Sequence, residues 1–353
     1  MQVKKIVATA ALGAAVSFSA HSVWAQSRDA RISSEPGETH LVNIRQLTFG
    51  GQNAEAYWSG DGQWITVQST LAGMSCDQQF VMRADGSDMR RISTGRGKTT
   101  CGWFIPGTNR LLFASSHAHD STCPPRPDPS RGYVWPLDKF DLYTVGRDGS
   151  DLKRLTNYNT YTAESVVSPD GKRIVFTSLK DGDLDIYVMN IDGTNVKRLT
   201  NTPGYDGGPW WSPDGTKIVY RSHHPSDSTE LAQYNALLKD GLVRPSKVEL
   251  FVMDADGSNQ RQITKLGGAN FGPSWTVDGR RIIFASNYKN PRSRNFDLFL
   301  VNPDGSGLEQ LTTHAEFDGF PMFSPDGRKV MWASNRNGKE AGETNIFVAD
   351  WRP

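Results

Sequence analysis

Residues 168–177 read Ser-Pro-Asp-Gly-Lys-Arg-Ile-Val-Phe-Thr, which is a tight turn followed by an alternating strand. Pro presets φ in such a turn, Asp bonds the nearby backbone, and Gly accepts the left-handed conformation that closes a hairpin. The same turn recurs at 212–215 and 324–327, with variants at 59–62, 105–109 and 276–279. An internal repeat therefore has to be interpreted before any single motif.

Two further marks recur in fixed order with this turn. The first is an apolar strand that ends in a three-residue signature: a basic or polar residue, then Leu or Ile, then Thr or Ser. This signature occurs six times, and its final residues are Thr48, Ser93, Thr156, Thr200, Thr264 and Thr312. The second is an Asp-Gly-Ser/Thr turn, found at 85–87, 148–150, 192–194, 256–258 and 304–306. Between the turns, apolar and polar residues alternate with the period of two that indicates β-strands.

The repeat predicts an all-β fold, a six-bladed β-propeller with four antiparallel strands per blade. The signature Thr and Ser residues are 45, 63, 44, 64 and 48 positions apart, and four-stranded units of about 40 to 50 residues are typical of propeller blades. The last unit ends at 345–351 after its third strand, whereas the strand 42–48 precedes the first unit. We expect the N-terminal strand to complete the C-terminal blade, which closes the ring and covers an exposed edge.

Composition and the N-terminus indicate an exported globular protein. Lys4 and Lys5, an Ala-rich apolar run and Val23-Trp24-Ala25 resemble a signal peptide over residues 1–25. Its apolar run of about 15 residues is too short to span a bilayer. The whole chain has 39 Lys and Arg against 38 Asp and Glu; without Lys4 and Lys5 the balance is 37 to 38. This gives no global reason to expect nucleic-acid or membrane-surface binding.

These observations divide the chain into a signal peptide (1–25), a flexible lead (26–41) and a propeller (42–353), and they predict a periplasmic monomer. The turn and signature motifs resemble those of the TolB-like (PD40, or WD40-like repeat) periplasmic propellers across essentially all of 42–353. These motifs are specific for the fold rather than for a function, because they are turn chemistry. The N-terminal α/β domain of TolB has no counterpart between Ala25 and Val42.

Two long inserts mark one face of the expected propeller, which we call the top. They occupy 115–138 and 222–247, between the second and third strands of units two and four, and the second contains a helix-like stretch, 230–238. Binding groups concentrate on loops that a rigid scaffold positions. The alternative is that the insertions are merely tolerated.

The residues entering the innermost strands can be aligned across blades. The residues that lie four positions before the first residue of each turn are Glu55, Cys101, Glu164, Gly208, Gly272 and Phe320. The residues that lie six positions before it are Asn53, Thr99, Thr162, Asp206, Asn270 and Asp318. Glu55, Glu164, Asp206 and Asp318 are predicted to form an acidic ring at the channel mouth. Carboxylates about 4 Å apart repel by about 4 kcal/mol at an effective dielectric of about 20. A divalent cation or a basic ligand group would relieve that repulsion, and a water-filled channel with solvated acids is the alternative.

Histidines and cysteines add two further hypotheses on the top face. His117, His119, His223 and His224 lie in the inserts and could bind Zn²⁺ or Mn²⁺ with nearby carboxylates, or could be ordinary surface histidines. Cys76, Cys101 and Cys123 suggest one disulfide and one odd thiol in an oxidising compartment. We favour a bond that holds the 115–138 insert, with Cys123 as one partner.

The function predicted first is non-enzymatic: a scaffold that binds a protein, a peptide or an envelope ligand through its top face. The resemblance to TolB implies a peptidoglycan-associated lipoprotein as a conceivable partner. The alternatives are a metal-assisted hydrolase or lyase with its site at the channel mouth, and a propeller that gates a separate peptidase. Oligogalacturonate lyases are propellers of this general type with a His-rich metal site, but their ligands cannot be matched residue by residue here.

Overall fold

The computed structural model describes residues 30–353, and it confirms the all-β, six-bladed propeller. The inner strands of successive blades contact one another in a closed cycle, with the sixth blade against the first. From the channel outward, blade one consists of β3 (Gln52–Trp58), β4 (Trp64–Thr70), β5 (Gln78–Arg83) and β6 (Arg90–Arg91), and blade two of β7 (Thr99–Phe104), β8 (Arg110–Ser115), β10 (Asp141–Gly146) and β11 (Lys153–Arg154). Blade three consists in the same order of β12 (Thr162–Val167), β13 (Arg173–Ser178), β14 (Asp185–Asn190) and β15 (Lys197–Arg198).

The other three blades follow the same order, and the sixth contains both ends of the described chain. Blade four consists of β16 (Tyr205–Trp211), β17 (Lys217–His223), β19 (Glu249–Asp254) and β20 (Arg261–Gln262). Blade five consists of β21 (Asn270–Trp275), β22 (Ile282–Ser286), β23 (Asp297–Val301) and β24 (Glu309–Gln310). Blade six consists of β25 (Asp318–Phe323), β26 (Lys329–Ser334), β27 (Asn345–Trp351), β2 (Leu41–Gln46) and β1 (Ala30–Arg31). In blade six, β2 pairs antiparallel with β27, so the N-terminal strand lies where the sequence places it.

The repeated turn holds its shape through its own side chains. In blade three the Ser168 hydroxyl donates to Asp170 at 2.5 Å and accepts from the Arg173 amide at 2.9 Å. The Asp170 carboxylate also accepts from the Lys172 amide at 3.1 Å. Gly171 has φ of +71°, which favours glycine at this position. The motif is therefore a self-contained hairpin closure.

The Thr signature ties the outermost strand to the third strand of each blade. In blade three the Ile186 amide donates to the Thr200 hydroxyl at 2.9 Å, and that hydroxyl donates to Asp185 at 3.1 Å. The Arg198 side chain bonds both Asp185 and the Thr200 carbonyl. The repeated residues are thus a buried polar network that fixes strand register.

Part of the predicted N-terminal lead contacts blade six. Residues 1–25, the predicted signal peptide, lie outside the described residues, as do residues 26–29 of the lead. The flexibility of the lead over 26–41 stays a prediction. Glu38 is 2% exposed and forms an ion pair with the buried Arg336 at 3.0 Å. This buried contact makes the segment part of blade six.

Candidate functional site: a capped polar chamber in the channel

All six inner strands carry a β-bulge at the same place, and the bulge aims one residue at the channel axis. The strand register shifts at this point in every blade. The residues concerned have φ between 48° and 57°, in the left-handed region; they are Glu55, Cys101, Glu164, Gly208, Gly272 and Phe320. Bulges commonly redirect side chains at functional rims. The aligned positions found in the sequence therefore form one layer.

This layer lines a small chamber of about 40 Å³. Glu55, Cys101 and Glu164 line one side of it, and the Arg221 side chain from β17 enters from the other. The Arg221 side chain is buried; its guanidinium bonds Glu164 and donates from Nε to the Tyr205 hydroxyl at 2.6 Å. The second Glu164 oxygen accepts from the Gly208 amide at 2.8 Å. The chamber thus contains a satisfied buried ion pair.

The channel positions aligned in the sequence do not include Arg221. A Cβ atom on Gly208 would lie 2.2 Å from the Arg221 Nη1 atom, so glycine at 208 makes room for the guanidinium. Position 208 is a glycine in the set of aligned channel positions that also contains two glutamates. This absence of a side chain is the signal in the sequence that points to Arg221. A glycine there, next to an arginine on the neighbouring strand, indicates that the second strand supplies the charge.

Glu55 is the carboxyl group in the chamber that no arginine or lysine neutralises directly. It accepts from the Tyr57 hydroxyl at 3.1 Å, and protein surrounds it although it faces the chamber. Burial raises the pKa of Glu55, and the charge of Glu164 adds to that rise. Burial, with the charges of Glu55 and Glu164, also raises the pKa of the Cys101 thiol well above its usual value. Cys101 is therefore a poor nucleophile.

Aromatic rings close the chamber on its lower side. The Tyr57, Trp103 and Trp210 rings belong to the residues two positions beyond the bulges, and they pack together with centroids 4.7 to 5.4 Å apart. Edge-to-face and tilted rings at this spacing are a stable apolar packing. The channel is thus interrupted by a plug, which differs from the open, water-filled channel considered as an alternative.

The two inserts join to form a cap on the upper side. β9 (Trp135–Pro136), from the 115–138 insert, pairs antiparallel with β18 (Leu242–Val243), from the 222–247 insert. The Trp135 ring packs on Phe271 with centroids 5.0 Å apart, and the Arg221 guanidinium lies 5.2 Å from the Trp135 ring centroid. The cap therefore packs on Arg221 and Phe271 at the upper end of the channel.

A helix anchors the second half of the cap. α1 (Ser228–Lys239) spans the predicted helix-like stretch and starts at Asp227, whose side chain accepts from the Thr229 and Glu230 amides. The buried Tyr234 hydroxyl donates to Asp183 of blade three at 2.5 Å. The N-cap and this buried bond fix the insert to the propeller.

The four acids predicted as a ring are divided between two environments. Glu55 and Glu164 line the chamber, whereas Asp206 and Asp318 are fully buried within blades four and six. Asp206 bonds His224 at 3.2 Å, and Asp318 forms an ion pair with Arg336 at 2.8 Å. The bulge separates positions two residues apart, because it turns one inward and leaves the other between strands.

The histidines of the two inserts pair with groups in their own blades. His117 bonds Ser115 at 2.7 Å, and His119 bonds Asp141 at 2.5 Å. His223 bonds Glu230 at 3.1 Å, in addition to the His224–Asp206 contact. Within residues 30–353 no three His, Cys, Asp or Glu side chains are grouped to hold a metal ion. The divalent cation stays a prediction.

The cysteines occupy two separate places. Cys101 lies in the chamber, whereas Cys76 and Cys123 meet where the 115–138 insert crosses blade one. Burial and a hydrogen bond with the Cys123 thiol raise the pKa of Cys76 to about 12. All three are free thiols in the structure. The arrangement favours a Cys76–Cys123 pairing among the three possibilities.

The fold and the site together define a class: a six-bladed β-propeller whose channel is plugged below and capped above. A family profile, the Tricorn protease N-terminal beta propeller domain, matches residues 137–249. A putative TolB from Agrobacterium tumefaciens shares 18% identity at a TM-score of 0.58, covering 88% of this chain and 97% of that one. TolB from Acinetobacter baumannii shares 17% at 0.54, covering 88% and 66%. The chain thus has a six-bladed β-propeller fold similar to that of these TolB structures.

Two other similarities are more distant or more local. An oligogalacturonate lyase in complex with manganese shares 15% identity at a TM-score of 0.51, covering 89% of this chain and 94% of that one. Dipeptidyl-peptidase 5 of Porphyromonas gingivalis is 36% identical over 62 residues, which are 18% of this chain and 9% of the peptidase. No helix within the described residues is long and apolar enough to cross a membrane. The lyase similarity concerns the fold alone.

Proposed function

We propose that this protein is an exported, periplasmic binding scaffold that holds a protein, peptide or envelope ligand on its top face. The observation that carries the proposal is the cap, in which two inserts from different blades form one platform through the β9–β18 pairing. Because the cap and the aromatic plug enclose the chamber, a large partner meets the cap rather than an open channel. The TolB-like fold is consistent with an envelope partner, and a peptidoglycan-associated lipoprotein is one candidate.

The cap presents an aromatic side chain to solvent. Tyr133 is 47% exposed, and its hydroxyl accepts from the Trp135 indole at 3.0 Å. Exposed Tyr on a preorganised loop is typical of interface hot spots, because it adds contact area at low entropic cost. Tyr133 is therefore the residue from which binding is best tested.

Site-specific photo-crosslinking in the periplasm tests the proposal. A photoreactive phenylalanine replaces Tyr133 in one variant and Val277 in the control, because Val277 is 43% exposed on a turn of the opposite face. We expect a discrete adduct at 133, identified by mass spectrometry, and none at 277. Equal labelling at both positions, or no adduct at 133, would contradict the proposal.

A metal-assisted hydrolase or lyase is the second candidate function. The observation in its favour is that Glu55, with its raised pKa, shares one chamber with Glu164. Elemental mass spectrometry of untagged protein prepared without chelator separates the two functions. A divalent metal at one equivalent that is lost in Glu55→Gln would favour the enzyme. A peptidase-gating role is supported only by the names of the Tricorn protease and dipeptidyl-peptidase 5.

A further inference from the structure

Two arginines lie beside the backbone that precedes the exposed tyrosine of the cap. The Arg244 guanidinium donates to the Arg131 carbonyl at 3.0 Å, and its Nη1 atom lies 3.3 Å from the position a Cβ on Gly132 would take. Gly132 directly precedes Tyr133, so the Arg244 guanidinium lies next to the chain that leads into Tyr133. The β9–β18 pairing brings these two residues together from separate inserts.

A third arginine comes from blade five. The Trp135, Phe271 and Phe296 rings pack in series, with 5.0 Å between successive centroids, so the loop before Phe296 lies beside the cap. Arg294 is exposed in that loop. Partial burial raises the pKa of Tyr133, and the hydrogen bond with Trp135 and the charges of Arg221 and Arg294 oppose that rise.

Two of the arginines near Tyr133 have no acidic partner within residues 30–353. Arg131 pairs with Asp240 at 2.6 Å, and Arg221 below the cap is neutralised by Glu164. In the part of the chain that the structure describes, Arg244 and Arg294 form no ion pair with an acid.

We propose that Arg131, Tyr133, Arg244 and Arg294, which we call the cap arginine patch, bind an acidic segment of a protein partner. Guanidinium groups match carboxylates with two parallel hydrogen bonds. The Tyr133 oxygen already accepts from Trp135, so its own proton is available to an acceptor on the ligand. Arg and Tyr are also the residue types that dominate protein–protein hot spots, which favours a peptide over an anionic glycan. The inference rests on the proposed function and specifies its partner.

Binding of a fluorescent ten-residue poly-glutamate peptide to the whole protein tests this inference. The variant Arg244→Gln/Arg294→Gln removes two charges from the patch. The control Arg280→Gln/Arg328→Gln removes two from turns on the opposite face. We expect the patch variant to weaken binding by about tenfold or more, because it removes charge-assisted hydrogen bonds to the peptide carboxylates. The control should bind like wild type, and affinity should fall with added salt.

Three results would overturn the inference: equal loss in both double variants, equal binding of poly-lysine, or tighter binding of a uronic-acid oligosaccharide with the same number of carboxylates. Thermal melting of each variant separates a binding defect from misfolding. If photo-crosslinking at Tyr133 succeeds while poly-glutamate does not bind, the scaffold function stands and the acidic partner is wrong.

Discussion

At the residue scale, Arg221 shows how one glycine changes the chemistry of the channel. Four blades place a side chain on the axis from the bulge of the inner strand, whereas blades four and five have Gly208 and Gly272 there. Blade four uses the second strand instead, because Arg221 occupies the space beside Gly208. The resulting Glu164–Arg221 pair is buried, so each partner depends on the other for compensation.

Gly208→Ala should destabilise the protein by about 2–4 kcal/mol, because the new methyl group overlaps Arg221 and adds to left-handed backbone strain. Thermal or denaturant unfolding measures the effect. Gly60→Ala is the matched control, since a Cβ atom added at Gly60 would have no neighbour within 4 Å and the φ of this residue is ordinary. A Gly208→Ala variant as stable as Gly60→Ala would show that Arg221 has another place to go.

Asp297, which is half-buried, differs from its equivalents in blades two and three. Its equivalents Asp141 and Asp185 face Arg154 and Arg198, but Asp297 faces Gln310, which donates to it at 2.9 Å. Burial, and then the charge of Asp318, raise the pKa of Asp297 to about 7, with Glu38 adding to the rise and Lys289 opposing it.

A carboxyl group with a raised folded pKa costs stability as pH rises from about 4 through about 7, because the folded state holds the proton longer than the unfolded chain. Asp297→Asn removes this cost, and Asn345 occupies the same position in blade six. We expect the variant to gain about 1–2 kcal/mol over wild type at pH 8, a value discounted for partial exposure, and little at pH 5. Denaturant titrations at both pH values measure it; an equal gain at both would refute the assignment.

At the element scale, the cap is built from strands of two residues each. Such short strands have no periodic signal in the sequence, and they form because the β8–β10 and β17–β19 hairpins bring the two inserts to one place. The helix α1, with twelve residues and an Asp N-cap, does carry a signal that the sequence reveals.

The Cys76–Cys123 contact predicts a disulfide under oxidising conditions. A bond there closes a long loop and ties the first insert to blade one, which should contribute about 2–4 kcal/mol to stability. Peptide mapping under non-reducing conditions should recover a Cys76–Cys123 crosslinked peptide, with Cys101 alkylated only after unfolding. Finding Cys123 free, or linked to Cys101, would contradict this pairing. Cys101→Ser serves as the control and should leave the crosslink intact.

At the scale of the whole molecule, the ring is closed by both ends of the chain. β2 pairs with β27, and the preceding segment adds Glu38 to a fully buried cluster with Arg336 and Asp318. The closure therefore depends on long-range pairing and on one arginine that compensates two carboxylates.

Arg336→Met should destabilise the protein by about 3–5 kcal/mol at pH 7, because Glu38 and Asp318 are left buried without a cation. The loss should be smaller at pH 5, since protonation relieves two carboxylates whose folded pKa values the substitution raises. Denaturant unfolding at both pH values gives the comparison. Arg280→Met is the control, because its side chain is 84% exposed. A loss independent of pH would show that packing, rather than charge, is the cause.

The sequence by itself determined the number of blades, their strands, the ring closure, the inserts and the aligned channel positions. It could do so because turn residues and strand alternation act over a few neighbouring positions and repeat in every blade. Tertiary structure alone decided that the bulge turns Glu55 inward while Asp318 stays buried, that Arg221 fills the space above Gly208, and that two distant inserts pair over the chamber. Each of these depends on atoms from different strands or blades occupying one volume, which no local pattern in the sequence records.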